Sequence, residues 1–303
     1  MPPRHGLEPA RLRMPTDGTW PTIHAYLVAR FDGRVRDERI DEMFAAGEIV
    51  DLAGPVAADT PYRPGDAIWF HRDLPDEPPV PFSIDVLHRD EAVLVVDKPH
   101  FLATIPRGRH VLETALVRLR HELDLPRLVP AHRLDRATAG VLLFVVDPAV
   151  RGAYQQLFAH RRVHKVYEAI AAYRPDLDLP RTVRSRIVKL RQVVAAFEEP
   201  GEPNSETLVE LHSHRDGVGR YRLTPTTGRT HQLRLHLESL GIPILGDDLY
   251  PTVTDRPLDD FTRPLQLLAR TLAFADPITG EPRRFDSNRT LSAWTDPDSW
   301  TTR

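Results

Sequence analysis

Two short apolar runs constrain the fold of this chain more than any other feature: Ala92-Val-Leu-Val-Val-Asp97 and Gly140-Val-Leu-Leu-Phe-Val-Val146. Both are too short for a buried helix and rich in β-branched residues, which is how a buried strand reads. Further strand candidates are Val166–Ala171, Thr207–Leu211 and Arg220–Thr224. Helical patterns lie between them. Leu112, Ala115, Leu116, Leu119 and Leu123 have amphipathic spacing, and Asp147-Pro148 supplies the cap and first residue of a helix reaching Ala159. Thr226-Thr-Gly-Arg-Thr opens another helix, with Leu233, Leu237 and Leu240 on one face and Gly241 at its C-terminal cap. Strands and helices interleave without a regular βαβ beat, so the expected class is α+β with a mixed or antiparallel central sheet.

The 303 residues divide unevenly. Residues 1–20 lack periodicity and read as a loose tail. Residues 21–73 form a small unit, with a helical stretch around Arg39–Ala46 and a turn at Pro64-Gly65 before a β-rich run. Residues 74–82 are proline-dense and read as a stiff interdomain linker, leaving 83–303 as the main domain. Cysteine is absent, which excludes disulfides, thiolate zinc sites, iron–sulfur clusters and cysteine nucleophiles. With no apolar leader and no run of 18 apolar residues, the expected location is the cytoplasm.

A formal net charge of −3 argues against a polyanionic partner until its distribution is considered. From Lys98 to Lys189 there are 17 Lys and Arg against 8 Asp and Glu, so a basic middle lies between acidic flanks. That asymmetry suits a localised face for a polyanion.

Four segments carry polar chemistry. In His132-Arg-Leu-Asp-Arg-Ala-Thr-Ala-Gly140 a carboxylate stands between two arginines and leads directly into an apolar strand. It reads either as a surface ion pair in a loop or as an ionised Asp135 used as nucleophile or base. Thr226-Thr-Gly-Arg-Thr-His-Gln-Leu-Arg-Leu-His236 places Arg229, His231, Gln232, Arg234 and His236 around a helix start, either as an anion site at free N–H groups or as the solvated polar face of an ordinary helix. His164-Lys-Val-Tyr167 sets a tyrosine on a strand, as packing or as a platform for a base. Gly241-Ile-Pro-Ile-Leu-Gly-Asp-Asp-Leu-Tyr250 is a turn-rich loop that indicates nothing specific alone. His231 and His236, five apart, do not converge on a helix, so no metal site is expected.

Asp97-Lys-Pro, the His132–Gly140 stretch, Lys165-Val-Tyr167, Gly228–Arg234 and the Gly241–Asp247 loop, taken in this order, resemble the RluA-type pseudouridine synthases over about residues 84–285. The resemblance implies an isomerase of uridine in RNA, with an α+β catalytic fold, no cofactor and no metal. It makes Asp135 the catalytic aspartate, Tyr167 the residue stacked on the target uracil and an aid to proton removal from C5, and Arg234 the partner of Asp135. Arg133, Lys98, Lys165, Arg229, His231 and Gln232 complete the expected substrate-binding set, Lys98 with a supporting role. The implied partner is a structured RNA (rRNA or tRNA), acted on by a monomer. Such an aspartate can attack C1′ or remove a ribose proton. Three positions depart from the family pattern: Phe101 stands where glycine is usual, Ile105 where histidine is frequent, and Ala139 where serine is usual. Residues 21–73 resemble a degenerate S4-like RNA-binding domain through Glu42–Ile49 and Arg63-Pro-Gly-Asp-Ala-Ile, although the helical part is acidic.

Overall fold

The structure, a computed structural model, describes residues 1–300 and divides into two compact units, Met1–Pro75 and the chain from Asp76 onward. In the first unit, strand β1 (Ala10–Arg13) is followed by helices α1 (Ile23–Phe31) and α2 (Asp37–Ala45) and strand β2 (Ala67–Phe70). Thr22 caps α1 by accepting the Ala25 N–H, and α2 buries Ile40, Met43 and Phe44 at helical spacing. The tail expectation fails at Ala10–Arg13, which pairs antiparallel with β2. Ala10 and Leu12 pack against the unit's core while Arg11 lies over the Trp69 ring. Four alternating residues give too brief a period-two signal to stand out beside prolines and glycine.

The second unit contains β3 (Asp85–Arg89), β4 (Val93–Lys98), α3 (Ala115–Glu122), β5 (Val129–Pro130), β6 (Ala139–Val145), α4 (Arg151–Ala159), β7 (His164–Ala172), β8 (Arg181–Val188), β9 (Phe197–Glu199), β10 (Ser205–Arg215), β11 (Val218–Pro225), α5 (Gln232–Ser239), β12 (Leu267–Ala275), β13 (Pro282–Asp286) and α6 (Ser292–Thr295). Nine strands run in the order β3-β4-β6-β12-β7-β11-β10-β8-β9, with β13 against β12 and β5 against β6. All pairings are antiparallel except β6 with β12, so the sheet is mixed, as the irregular alternation of patterns requires.

The two apolar runs become β4 and β6, and both are buried on both faces. Leu94, Val96, Leu142 and Phe144 join Ala115, Leu116 and Leu119 of α3 in one core. Val93, Val95, Val141, Leu143 and Val145 join Tyr154 and Leu157 of α4 in another. Each such side chain contributes about 1.5–3 kcal/mol on burial. A strand with helices on both sides has no polar face to display, hence the unbroken apolar runs.

The proline-dense segment has no regular structure, but its second half packs on the larger unit. The Glu77 carboxylate accepts the backbone N–H groups of Val111, Leu112 and Glu113, and Val80 is buried. Among the described residues no helix is long and apolar enough to cross a membrane.

Candidate active site

Asp135 sits on the loop between β5 and β6, and the backbone on either side of it is fastened at three neighbouring residues. Thr104 Oγ1 donates to the Leu134 carbonyl (2.7 Å) and accepts the Leu134 N–H (3.1 Å). Lys98 Nζ donates to the Arg136 carbonyl (3.4 Å), and His100 Nδ1 donates to that of Ala137 (2.7 Å). The turn closes on itself through Thr138 N–H to the Asp135 carbonyl (3.1 Å). By contrast, among the described residues no hydrogen bond or ion pair engages the Asp135 carboxylate. The peptide is held and the side chain is left available.

The loop's exit is fixed by a glycine. Gly140 has φ +113°, and a Cβ there would lie 2.3 Å from the Ala269 carbonyl oxygen of the parallel neighbour β12. Ala269 in turn pairs with Tyr167 on β7, so the end of the Asp135 loop and Tyr167 are two strands apart in register, about 10 Å at ordinary strand spacing. Tyr167 is partly buried at the sheet centre, and its hydroxyl has no hydrogen-bond partner among the described residues. Burial first, and the Asp135 charge second, push its pKa up.

The third wall comes from the loop between β11 and α5. Gln232 is its hub: Oε1 accepts from Thr227 Oγ1 (2.7 Å) and the Arg229 N–H (3.0 Å), while Nε2 donates to the Glu206 carbonyl and Thr207 Oγ1 (2.9 Å each). Lys165 Nζ reaches across from β7 to the Thr227 carbonyl (2.9 Å). His231 precedes α5 with φ +57°, and its Nδ1 lies 2.9 Å from the Tyr250 hydroxyl. Its pKa is pushed down by burial and partly restored by Asp135.

Together these elements line a cleft of about 700 Å³. Asp135, Tyr167, Arg133, Lys165, Arg229, His231, Gln232 and Arg234 all line it. Seven Lys and Arg side chains (Arg107, Arg133, Arg136, Arg161, Lys165, Arg229 and Arg234) surround a single acidic residue, Asp135. Five of the seven come from the basic middle of the sequence.

One expected pairing is corrected, and Lys98 and Gln232 take supporting positions. Arg234 does not bond to Asp135. It makes a two-pronged contact with Asp247, Nε to Oδ2 at 2.7 Å and Nη2 to Oδ1, and reaches Asp248 at 2.8 Å. Asp135 acts on it only through its field, one of the charges that push the guanidinium's pKa up against desolvation. Lys98 is wholly buried, off the cleft, with Nζ also donating to the carbonyls of Pro99 (3.0 Å) and Leu102 (2.7 Å). It holds the loop and touches no substrate space. Gln232 reaches the cleft wall but spends its amide on its neighbours, so it shapes the wall.

Sequence reasoning missed Thr104, His100 and Asp247. Asp247 had a signal, the Gly-Asp-Asp of the turn-rich loop, where Asp247 Oδ1 also accepts the N–H groups of Leu249 and Tyr250. Thr104 and His100 had none. Phe101 adopts φ +66°, and the residue is anchored by burial against the Phe82 and Phe261 rings.

With this geometry in place, the relatives are informative. The sequence pattern of the family described as RNA pseudouridylate synthase matches residues 92–239. A protein of Chlorobaculum parvum named "Uncharacterized RNA pseudouridine synthase" is 30% identical over 294 residues, covering 88% of this chain and 89% of its own. "Dual-specificity RNA pseudouridine synthase RluA" of Pasteurella multocida is 32% identical over 210 residues, covering 67% of this chain and 92% of that protein. Among solved structures, "Human RNA Pseudouridylate Synthase Domain Containing 1" matches with a TM-score of 0.58 at 26% identity, over 74% of this chain and 91% of the human one.

Proposed function

Because this chain belongs to the RNA pseudouridine synthase family, of the RluA type, and is thus an isomerase that converts uridine to pseudouridine in RNA, we propose that Asp135, Tyr167 and Arg234 are its catalytic set. The observation that carries this reading is the unbonded Asp135 carboxylate on a fastened loop, at the centre of a cleft whose other charged walls are all basic.

The reaction breaks the C1′–N1 bond, turns the uracil and rejoins it through C5. A carboxylate without a protein partner is free to act at the ribose, and its neighbours keep it in register without occupying its oxygens. Arg234 is itself locked by Asp247 and Asp248, and contributes a fixed positive field toward Asp135. With its pKa raised, Tyr167 stays a neutral phenol at neutral pH. Its role is then to stack on the extruded uracil and to donate a hydrogen bond, with stacking offsetting about 1–3 kcal/mol of the cost of unstacking the base. Arg133, Lys165, Arg229 and His231 meet the substrate from the walls, Gln232 holds the Arg229 backbone, and Lys98 holds the Asp135 loop. The substrate in this reading is a structured RNA, rRNA or tRNA, modified in the cytoplasm by a monomer. The S4-like assignment of the first unit stays part of the proposal.

The test uses an RNA transcript tritiated at uridine C5. Wild-type protein releases the label to water, and Asp135→Asn abolishes release while keeping the wild-type thermal transition. Release undiminished by that substitution removes Asp135 from the chemistry.

A further inference from the structure

Four partly buried arginines of this unit show what Arg136 lacks. Arg118 bonds to Glu113, Arg234 to Asp247, Arg270 to Glu168 at 2.7 Å and Arg283 to Asp276 at 2.6 Å. Arg136 has no carboxylate within ion-pair distance among the described residues. Its Nε is sealed from solvent without a hydrogen-bond partner. One Nη donates to the Leu258 carbonyl at 3.4 Å, and the guanidinium lies 5.8 Å from the Phe101 ring centre. Arg151 also has an unpartnered Nε, but it lies off the cleft.

The surrounding charge compounds the deficit. Arg109 and Arg256 both repel Arg136, and the one favourable carboxylate, Asp248, is already committed to Arg234. A desolvated guanidinium with five donors and so few acceptors is costly unless an anion completes it. Arg136 lines the cleft, as do Arg107 and His110, which are bridged to each other through their backbones, and the Arg136 charge reaches His110.

We propose that Arg136 receives a backbone phosphate of the RNA substrate, forming a phosphate subsite adjoining Asp135. Arg136 follows Asp135 directly, with Cα atoms about 3.8 Å apart, so the phosphate belongs to the target nucleotide or its immediate neighbour. The planar guanidinium can clamp two phosphate oxygens at once, and the Phe101 ring beneath it favours the cation there. The left-handed, buried Phe101 thereby gains a role as the platform under this arginine. The proposal rests on the reading of the chain as an RNA-modifying enzyme and adds one contact to it.

The experiment measures binding of a fluorescent oligouridylate to the full chain as a function of KCl, for wild type, Arg136→Gln, Arg136→Lys and Arg284→Gln. Arg284 is exposed on β13, paired with Asp286, and outside the cleft. For Arg136→Gln, the slope of log affinity against log salt falls in magnitude by about 0.7, the loss of one single-strand phosphate contact. Arg136→Lys keeps the slope and Arg284→Gln leaves it unchanged. Tritium release by Arg136→Gln shows a raised KM with kcat within about twofold of wild type, and its unfolding midpoint is not lowered because no ion pair is broken. An unchanged slope in Arg136→Gln overturns the proposal, and a lowered midpoint with that unchanged slope assigns Arg136 a purely structural role. Wild-type binding that ignores salt overturns the RNA reading itself, together with this subsite.

Discussion

Replacing Thr104 by valine tests whether the fastened loop is what places Asp135. The change is nearly isosteric and removes one hydroxyl, but that hydroxyl both donates to the Leu134 carbonyl and accepts its N–H. Leu134 and Thr104 are both buried, so two backbone groups are left without partners. At about 1–3 kcal/mol for each unsatisfied buried group, and with the cleft admitting some water, the expected loss of stability is about 2–4 kcal/mol. A domain with ordinary stability survives that, so the protein remains folded and assayable. Catalysis suffers in a distinct way. With its neighbour released, Asp135 moves relative to the bound ribose, and a displacement near 1 Å is worth on the order of a hundredfold in rate. The expected result is a kcat lower by about ten- to a hundredfold, with KM within about threefold because the basic walls are untouched. Thr104→Ser, which keeps both bonds, behaves as wild type in both respects. Urea unfolding and C5-tritium release on one RNA substrate make the comparison. A Thr104→Val protein with wild-type kcat refutes the reasoning, since the loop would then be held by something else.

Two further outcomes follow from the same architecture. Gly140→Ala loses about 3 kcal/mol or more in urea unfolding together with its activity, because the added Cβ meets the Ala269 backbone at 2.3 Å with φ at +113°; Gly108→Ala, with φ +60° and open space around it, costs about 1 kcal/mol, and equal effects at the two sites would refute the packing argument. His100 and His132 are pushed down by burial to about 4 and about 3; the unfolded chain therefore takes up protons first as pH falls below about 6.5, so stability present above that pH declines by about 2 kcal/mol per imidazole by pH 5, and the double variant His100→Gln, His132→Gln shows a shallower decline in unfolding free energy over this interval or the assignment fails.

What the sequence makes legible follows physical range. β4 and β6 are visible because a strand covered on both faces has only one composition available to it. The Asp135 loop is visible because a carboxylate between two arginines beside such a strand demands an explanation. The basic middle is visible because charge adds up along the chain, and five of its members do reach the cleft. The partners are not visible. Arg234 meets Asp247 and Asp248 rather than Asp135 because the loop from Gly241 folds back onto α5, a tertiary event set by Ile242 and Ile244 in the core and by Gly246, whose Cβ would strike the Pro264 carbonyl oxygen at 2.4 Å. Thr104 carries no periodicity and no neighbouring charge, so only the fold reveals that it grips Leu134. The strand at Ala10–Arg13 is hidden for the same reason, since its partner lies more than fifty residues away.

On the proposed role of Asp135, one charged loop is at once ordered and left available to substrate. An ion pair between Asp135 and Arg234 would order the carboxylate, but it would occupy its oxygens with donors that substrate would have to displace. Here Arg234 is ordered by Asp247 and Asp248, and the loop is ordered through the backbone by Thr104, Lys98 and His100. Both partners are therefore fixed without being bonded to each other, and Asp135 experiences Arg234 as a field. The cost is borne by buried groups remote from the reacting atoms. Lys98, pushed down to about 7 by burial, is one of them. Its three carbonyl partners replace the water it has lost, and through the Arg136 carbonyl it connects that desolvated ammonium to the residue next to Asp135. Preorganisation of this kind places the rigidity in the peptide and leaves the carboxylate oxygens for the substrate, which is where a reaction at ribose requires them.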